Sequence, residues 1–114
     1  MKYLTFTDRG QALAERLSQV LGGQVSRFTP GFSMDDWTAA GFENREDLIF
    51  IGAVGIAVRA IAPHVRSKVT DPAVVAVDES GTFAVPVLSG HLGGANDLAR
   101  EIAGLLGGQA GLTT

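Results

Sequence analysis

The sequence predicts an α/β fold, a three-layer α/β/α sandwich around a mixed, mostly parallel sheet of about five strands. Three observations carry this expectation. The chain opens in strand–helix–strand order, from Lys2–Thr7 through an apolar-periodic helix to Gln24–Phe28, as parallel pairing requires. Leu48-Ile49-Phe50-Ile51 is apolar without alternation, the pattern of a strand buried on both faces. Ala73–Val77 and Thr82–Val87 are strand-like and separated by Asp78-Glu79-Ser80-Gly81, a hairpin spacer that adds an antiparallel pair.

The elements follow in order. Tyr3, Leu4 and Phe6 mark the first strand, and Thr7 or Asp8 is placed to cap the helix after it. That helix repeats apolar residues at Ala12 or Leu13, Leu17, Val20 and Leu21, and Gly22-Gly23 ends it. Pro30-Gly31 makes a turn, after which Ser33 caps a short helix with Asp35 and Asp36 at its positive end. Trp37, the sole tryptophan, is either this helix's hydrophobic anchor or a stacking platform for a flat ligand. Beyond the central strand, Gly52-Ala53-Val54-Gly55 leads into a helix with Val54, Val58 and Ile61 on one face, stopped or restarted at Pro63. Pro86 cannot donate to a ladder, which puts it on an edge or at a strand's end. Ala95, Leu98, Ala99, Ile102, Leu105 and Leu106 form the stripe of a last helix. Gly107-Gly108 closes it, and Ala110–Thr114 begins like another strand and reads as the edge of a longer polypeptide.

Composition bounds the function. A chain of 114 residues, 46% hydrophobic and 18% charged, has the balance of one globular domain. Without cysteine it has neither disulfides nor thiolate metal sites, which suits a cytoplasmic setting. Met1–Leu4 does not read as a secretory signal, and no apolar run is long enough to span a membrane. A net charge of −3 argues against nucleic acid as partner. Yet Leu48–Thr70 contains no acid while it holds Arg59, His64, Arg66 and Lys68, which marks an anion site or a solvated flank.

The chemistry concentrates in Val85–Asn96, V-P-V-L-S-G-H-L-G-G-A-N, which runs from a strand into a helix. Ligands bind at such junctions. Gly90, Gly93 and Gly94 serve turns and packing, or leave N–H groups for a carboxylate or phosphate. His91 is either structural or a base, acid or ligand. Ser89 lacks the surroundings of a nucleophile elbow, and a capping hydroxyl is the stronger reading. Arg59 makes a bidentate carboxylate contact or pairs internally with Asp71 or Asp78. His64 and His91 alone do not form a metal site.

Three segments then carry a resemblance. Ile49–His64 (IFIGAVGIAVRAIAPH), Lys68–Asp78 (KVTDPAVVAVD) and Val87–Ala99 (VLSGHLGGANDLA) resemble the amino-terminal part of the CbiG family of cobalamin-biosynthesis proteins. The resemblance covers Asp47–Thr114 and makes residues 1–114 a single CbiG amino-terminal-like domain. It implies a role in anaerobic vitamin B12 synthesis: opening the δ-lactone of cobalt-precorrin-5A and releasing acetaldehyde to leave cobalt-precorrin-5B. The family's middle region and its CobE-like carboxyl-terminal region are the implied missing partners, and a second copy of the chain is another candidate. The cobalt belongs to the substrate, so no cofactor or protein metal site is expected. An apolar tetrapyrrole disc with a carboxylate rim suits the residues. His91 is the candidate base, with Ser89 beside it, and the N–H groups of Gly93 and Gly94 are candidate oxyanion donors. Gly52, Gly55, Arg59, Lys68, Asp71, Gly90, Gly93, Gly94 and Asn96 form the expected substrate-binding set, with Gly52–Arg59 lying near the His91 loop. A scaffold domain without chemistry and a generic anion-binding module are the alternatives.

Overall fold

The computed structural model describes Met1–Thr114 as an α/β/α sandwich. Its strands are β1 (Lys2–Thr5), β2 (Gln24–Arg27), β3 (Leu48–Ile51), β4 (Val74–Val77), β5 (Phe83–Leu88) and β6 (Gln109–Ala110). Its helices are α1 (Asp8–Leu21), α2 (Met34–Glu43), α3 (Val54–Ile61) and α4 (Ala95–Leu106). The strand order is β2-β1-β3-β4-β5-β6. Every pair is parallel except β4 with β5. The sheet therefore has one strand more than the sequence suggests, a two-residue strip at the edge.

Local chemistry explains most boundaries. Thr7 caps α1, its hydroxyl accepting from Gly10 N at 3.0 Å, and Ser33 caps α2 by accepting from Asp36 N at 3.1 Å. Both faces of the sheet are packed. Tyr3, Ile49, Ile51, Val75 and Val77 meet α1 and α4 on one side. Leu4, Leu48, Phe50, Val74 and Ala76 meet α2 and α3 on the other. β3 and β4 are thus buried on both faces, which is why their sequences do not alternate. Trp37 is an anchor: its ring lies edge-on to Phe50 at 5.4 Å, with the Lys2 ammonium 4.6 Å from its centroid.

Three expectations need correction. Val20 is 65% exposed and Leu105 is 42% exposed, so the stripes of α1 and α4 are narrower than apolar periodicity implies. Ala103 takes the inward position in α4. Val54 and Val58 also face outward, and Ala57, Ala60 and Ile61 bury α3 instead. Pro86 lies in β5 beyond the reach of β6, so the strand is an edge on that side at this residue, as its missing donor requires. It is tolerated because β6 pairs only with Phe83 and Ala84, and because the β4–β5 register shifts beside it, between Val74 and Val75.

Asp47, just before β3, ties two strands together. Its carboxylate accepts from Ala73 N at 3.3 Å, while Ala73 O accepts from Leu48 N at 2.9 Å. Burial pushes the Asp47 carboxyl above its ordinary range, partly offset by the Ala73 N–H. A carboxyl raised in the folded state lowers stability once it ionises, and this penalty fades as pH falls. Asp47→Asn keeps an acceptor for Ala73 and should be at least as stable as the parent at pH 7. Its advantage should shrink toward pH 4 in urea unfolding. Asp47→Ala should lose about 1–3 kcal/mol, because the fully buried Ala73 N–H is left unpaired. Equal losses for Asn and Ala would refute this role.

Candidate functional site

The hairpin decides where the sequence-predicted residues go. β5 runs antiparallel to β4, with Val77 opposite Ala84 and Val74 opposite Leu88. The loop after Leu88 therefore emerges where β4 begins, at the amino edge of the parallel strands. Gly52 and Gly55 follow the end of β3, at the carboxyl edge. The expected neighbourhood of the two glycine turns does not form: the sheet lies between them.

At the amino edge the structure gathers Lys68, Asp71, Ser89, Gly90, His91, Gly93, Gly94 and Asn96, together with Arg66. Two loops are locked to each other. Asp71 is 7% exposed, and its carboxylate accepts from Arg66 N at 2.9 Å and Ser67 N at 3.1 Å. Asp71 thus builds the basic loop rather than facing a ligand. Ser89 Oγ donates to Asp71 O at 3.2 Å, which joins that loop to the glycine loop; the hydroxyl is structural but, against expectation, caps no helix, since Gly94 is the N-cap of α4. Ser89 is left-handed, with φ 57°. A Cβ on Gly93 would lie 2.5 Å from Ser89 Cβ and 3.3 Å from Ala73 N, so only glycine fits there.

The glycine loop also organises the start of α4. Ser89 O and Gly90 O accept from the N–H groups of Ala95 and Asn96 at 3.1 and 3.0 Å. Buried Asn96 reaches Thr114 through Nδ2, at 3.1 Å from its Oγ1. A Cβ on Gly90 would approach Asn96 Oδ1 to 2.9 Å. The N–H groups of Gly93 and Gly94 make no hydrogen bond within the chain, and Gly94 caps α4 with no side-chain bond. His91 is exposed and has no partner, unlike His64, whose Nε2 lies 2.8 Å from Asp35 Oδ1.

Lys2, Arg45, Arg66 and Lys68 lie near this edge, whereas Arg9 and Arg27 lie at the carboxyl edge. The three ion pairs are Arg27–Asp8, His64–Asp35 and Arg100–Asp97, so Arg59, Arg66 and Lys68 are exposed and unpaired. Neither Asp71 nor Asp78 pairs with Arg59, which projects from α3. A cleft of about 630 Å³ opens between the end of α2 and the basic loop, with Arg45, His64 and Arg66 facing Glu43, Asp71 and Phe42. Arg45 is a residue the sequence does not single out. It occupies the left-handed position of a helix-terminating Schellman turn at φ 53°, where glycine is usual. There Glu46 N donates to Gly41 O and Arg45 N to Phe42 O. Its left-handed backbone is invisible in a sequence that offers arginine there.

The carboxyl edge has a different character. A crevice of about 310 Å³ lies where the chain connections diverge between β1 and β3, lined by Phe6, Thr7, Gly52, Ile56, Asp78 and Glu79. The Thr7 hydroxyl donates to the Glu79 carboxylate across it. Two carboxylates there oppose an anionic ligand.

Comparisons agree with this architecture. Residues 36–114 match the family model described as cobalamin synthesis G N-terminal. The chain is 45% identical to a cobalt-precorrin-5A hydrolase of Salmonella typhimurium over 95% of its own length and 33% of that protein. It is 38% identical to a cobalt-precorrin-5A hydrolase of Priestia megaterium, covering 98% of this chain and 27% of that one. The chain thus spans about a third of the length of these curated relatives. A solved structure described as a cobalamin biosynthesis protein G homolog from Sulfolobus solfataricus shares the fold, with a TM-score of 0.78 at 24% identity. That match covers 98% of this chain and 36% of the other.

The lock between the loops yields a stability prediction. Gly93→Ala should lower stability by about 1–3 kcal/mol, because the new methyl must displace Ser89 and the start of β4. Thermal unfolding measures this, and an unchanged Tm would show that the loop does not pack as described.

Proposed function

This chain belongs to the cobalamin synthesis G amino-terminal family, and from that premise we propose that it serves as the substrate-binding and loop-donating domain of a cobalt-precorrin-5A hydrolase. The observation that carries the reading is the amino-edge loop. An exposed histidine and two unpartnered glycine N–H groups stand on a segment fixed by Ser89, Gly90, Gly93 and Asn96. Lactone opening needs an activated water and a place for the developing oxyanion. His91 takes a proton from the attacking water. The carbonyl oxygen gathers negative charge against the N–H groups of Gly93 and Gly94, and the ring C–O bond breaks to leave a carboxylate and a hydroxyl. The hydroxyl then loses its proton, the adjacent carbon–carbon bond breaks, and acetaldehyde leaves while the electron pair passes into the macrocycle. The cobalt travels with the substrate, and the domain is expected to act in the cytoplasm without a cofactor of its own.

Electrostatics supports the same edge for binding the rim. Arg66 and Lys68 carry charge that no internal acid neutralises, and Arg45 adds a third cation in the adjoining cleft. The carboxyl-edge crevice presents Asp78 and Glu79 instead. Guanidinium–carboxylate contacts would hold the acetate and propionate arms while the disc lies against the uncharged loop.

One feature favours a shared site. A catalytic base is normally oriented by a third group, and His91 has none in this chain. The group that orients it comes, on this reading, from outside residues 1–114. A domain that binds the tetrapyrrole while the chemistry lies elsewhere is the second reading, and one experiment separates them. His91→Ala in the longer polypeptide should slow acetaldehyde release from cobalt-precorrin-5A by about 10²–10⁴-fold. Unchanged turnover would take His91 out of the chemistry and leave the binding role.

The rim contacts make a separate prediction. Arg66→Ala and Lys68→Ala should each weaken binding of a carboxylated cobalt corrinoid several-fold, and more at low than at high salt. Binding as tight as the parent's would remove the basic rim from the account.

A further inference from the structure

The helix α3 is apolar almost all round. Of Val54–Ile61 only Arg59 is charged, yet Val54 is 48% exposed and Val58 is 47% exposed. A helix of this composition belongs inside a protein, since an isolated surface helix carries a polar outer face. At 100° per residue, Val54 and Val58 share one flank, and Ile56 lies on the other. Ile56 lines the crevice with Phe6 beyond β1, so the Val54–Val58 flank faces the β5 side.

The sheet beside that flank is also uncovered. Ala84 belongs to the core under α4, so alternation turns Phe83 and Val85 toward the α3 face. Phe83 is 50% exposed. On the opposite face α4 packs on β4, β5 and β6, whereas α3 packs on β3, β4 and β5 and leaves the outer part of the layer open. The result is a trough, walled by Val54 and Val58 and floored by Phe83 and Val85. It follows β5 toward Leu88 and the His91 loop. Six residues of strand span about 20 Å, the length of a helix of roughly 13 residues.

We propose that this trough seats an amphipathic helix contributed by polypeptide outside residues 1–114. The curated relatives are about three times as long as the part this chain matches, which is the source of such a segment. Its apolar stripe completes the α2–α3 layer over β5. The end that lies at the amino edge stands beside the loop where His91 lacks an orienting group. The inference rests on the uncovered layer and the relatives' length, so it stands or falls separately from the hydrolase chemistry.

This chain has no cysteine, and any in the remainder of the longer protein are first replaced by serine, so one introduced thiol reports a single position. Val58→Cys, Phe83→Cys and the control Gln19→Cys on exposed α1 are made in two settings. One is this chain alone. The other is the Salmonella typhimurium relative with its matching third replaced by this chain. In the chain alone all three thiols should react with a maleimide at similar rates, independent of protein concentration. In the longer protein Val58→Cys and Phe83→Cys should react at least tenfold more slowly, with Gln19→Cys unchanged. Equal rates in both settings would overturn the proposal. So would concentration-dependent protection in the chain alone, which would make a second copy the occupant. A measurement on the chain alone tests the same geometry: Val58→Lys should leave Tm within a few degrees of the parent. A fall expected of a core residue would show that the flank is already covered.

Discussion

The candidate site of this domain is positioned by the reversal of the chain between Val77 and Phe83. Gly81 turns at φ 72°, where a side chain would be strained and would also press on Leu106. The Asp78 carboxylate closes the turn, accepting from Phe83 N at 2.6 Å and from the Ser80 hydroxyl. Burial raises the Asp78 carboxyl, but hydrogen bonds from Ser80, Phe83 and Thr82 outweigh that and hold it below its ordinary value. The ionised form is the one the fold uses. Because β5 then runs against the other strands, its carboxyl end delivers Ser89–Gly94 to the amino edge, among the cations of the 66–71 loop. A parallel β5 would have delivered the same loop to the carboxyl edge instead.

From this follows a division of labour between two edges. The carboxyl edge has the crevice that an open α/β sheet normally offers a ligand, but Thr7, Asp78 and Glu79 occupy it with a hydroxyl and two carboxylates. The amino edge has unpaired guanidinium and ammonium groups and free backbone donors. Its rigidity comes from small contacts acting together: Asp71 on Arg66 and Ser67, Ser89 on Asp71, and Gly93 against Ser89. Each hydrogen bond is worth about 1 kcal/mol, and together they oppose the loop's conformational entropy. At that edge His91 has no partner within the chain, and the α3–β5 trough lies open beside it.

Much of this is legible in the sequence wherever the cause is local. Thr7 and Ser33 cap the helices they precede, and Leu48–Ile51 announces a strand buried on both faces. The hairpin is written in Asp78–Gly81. Other features depend on tertiary direction. Nothing in Gly52–Arg59 or Ser89–Asn96 says that the two turns leave opposite edges, because that follows from counting one antiparallel step between them. Val54 and Val58 have the apolar character of core residues, and periodicity cannot show that no element of residues 1–114 covers them. Arg45 is hidden for the converse reason, since its role rests on a left-handed backbone that arginine does not advertise. Pro86, by contrast, is legible, because β6 stops opposite Ala84 and leaves an edge at the residue that cannot donate.

The central claim is that the amino edge, and not the carboxyl-edge crevice, meets the tetrapyrrole. Backbone amide spectra of the ¹⁵N-labelled chain, titrated with diamagnetic cobyrinic acid as a carboxylated cobalt corrinoid, test it most directly. The account predicts shifts at Arg66–Lys68 and Ser89–Asn96, largest at Gly93 and Gly94, with Phe6, Thr7, Gly52 and Ala53 unmoved. Shifts centred on Gly52, Ala53 and Thr7, with the His91 loop unaffected, would contradict it.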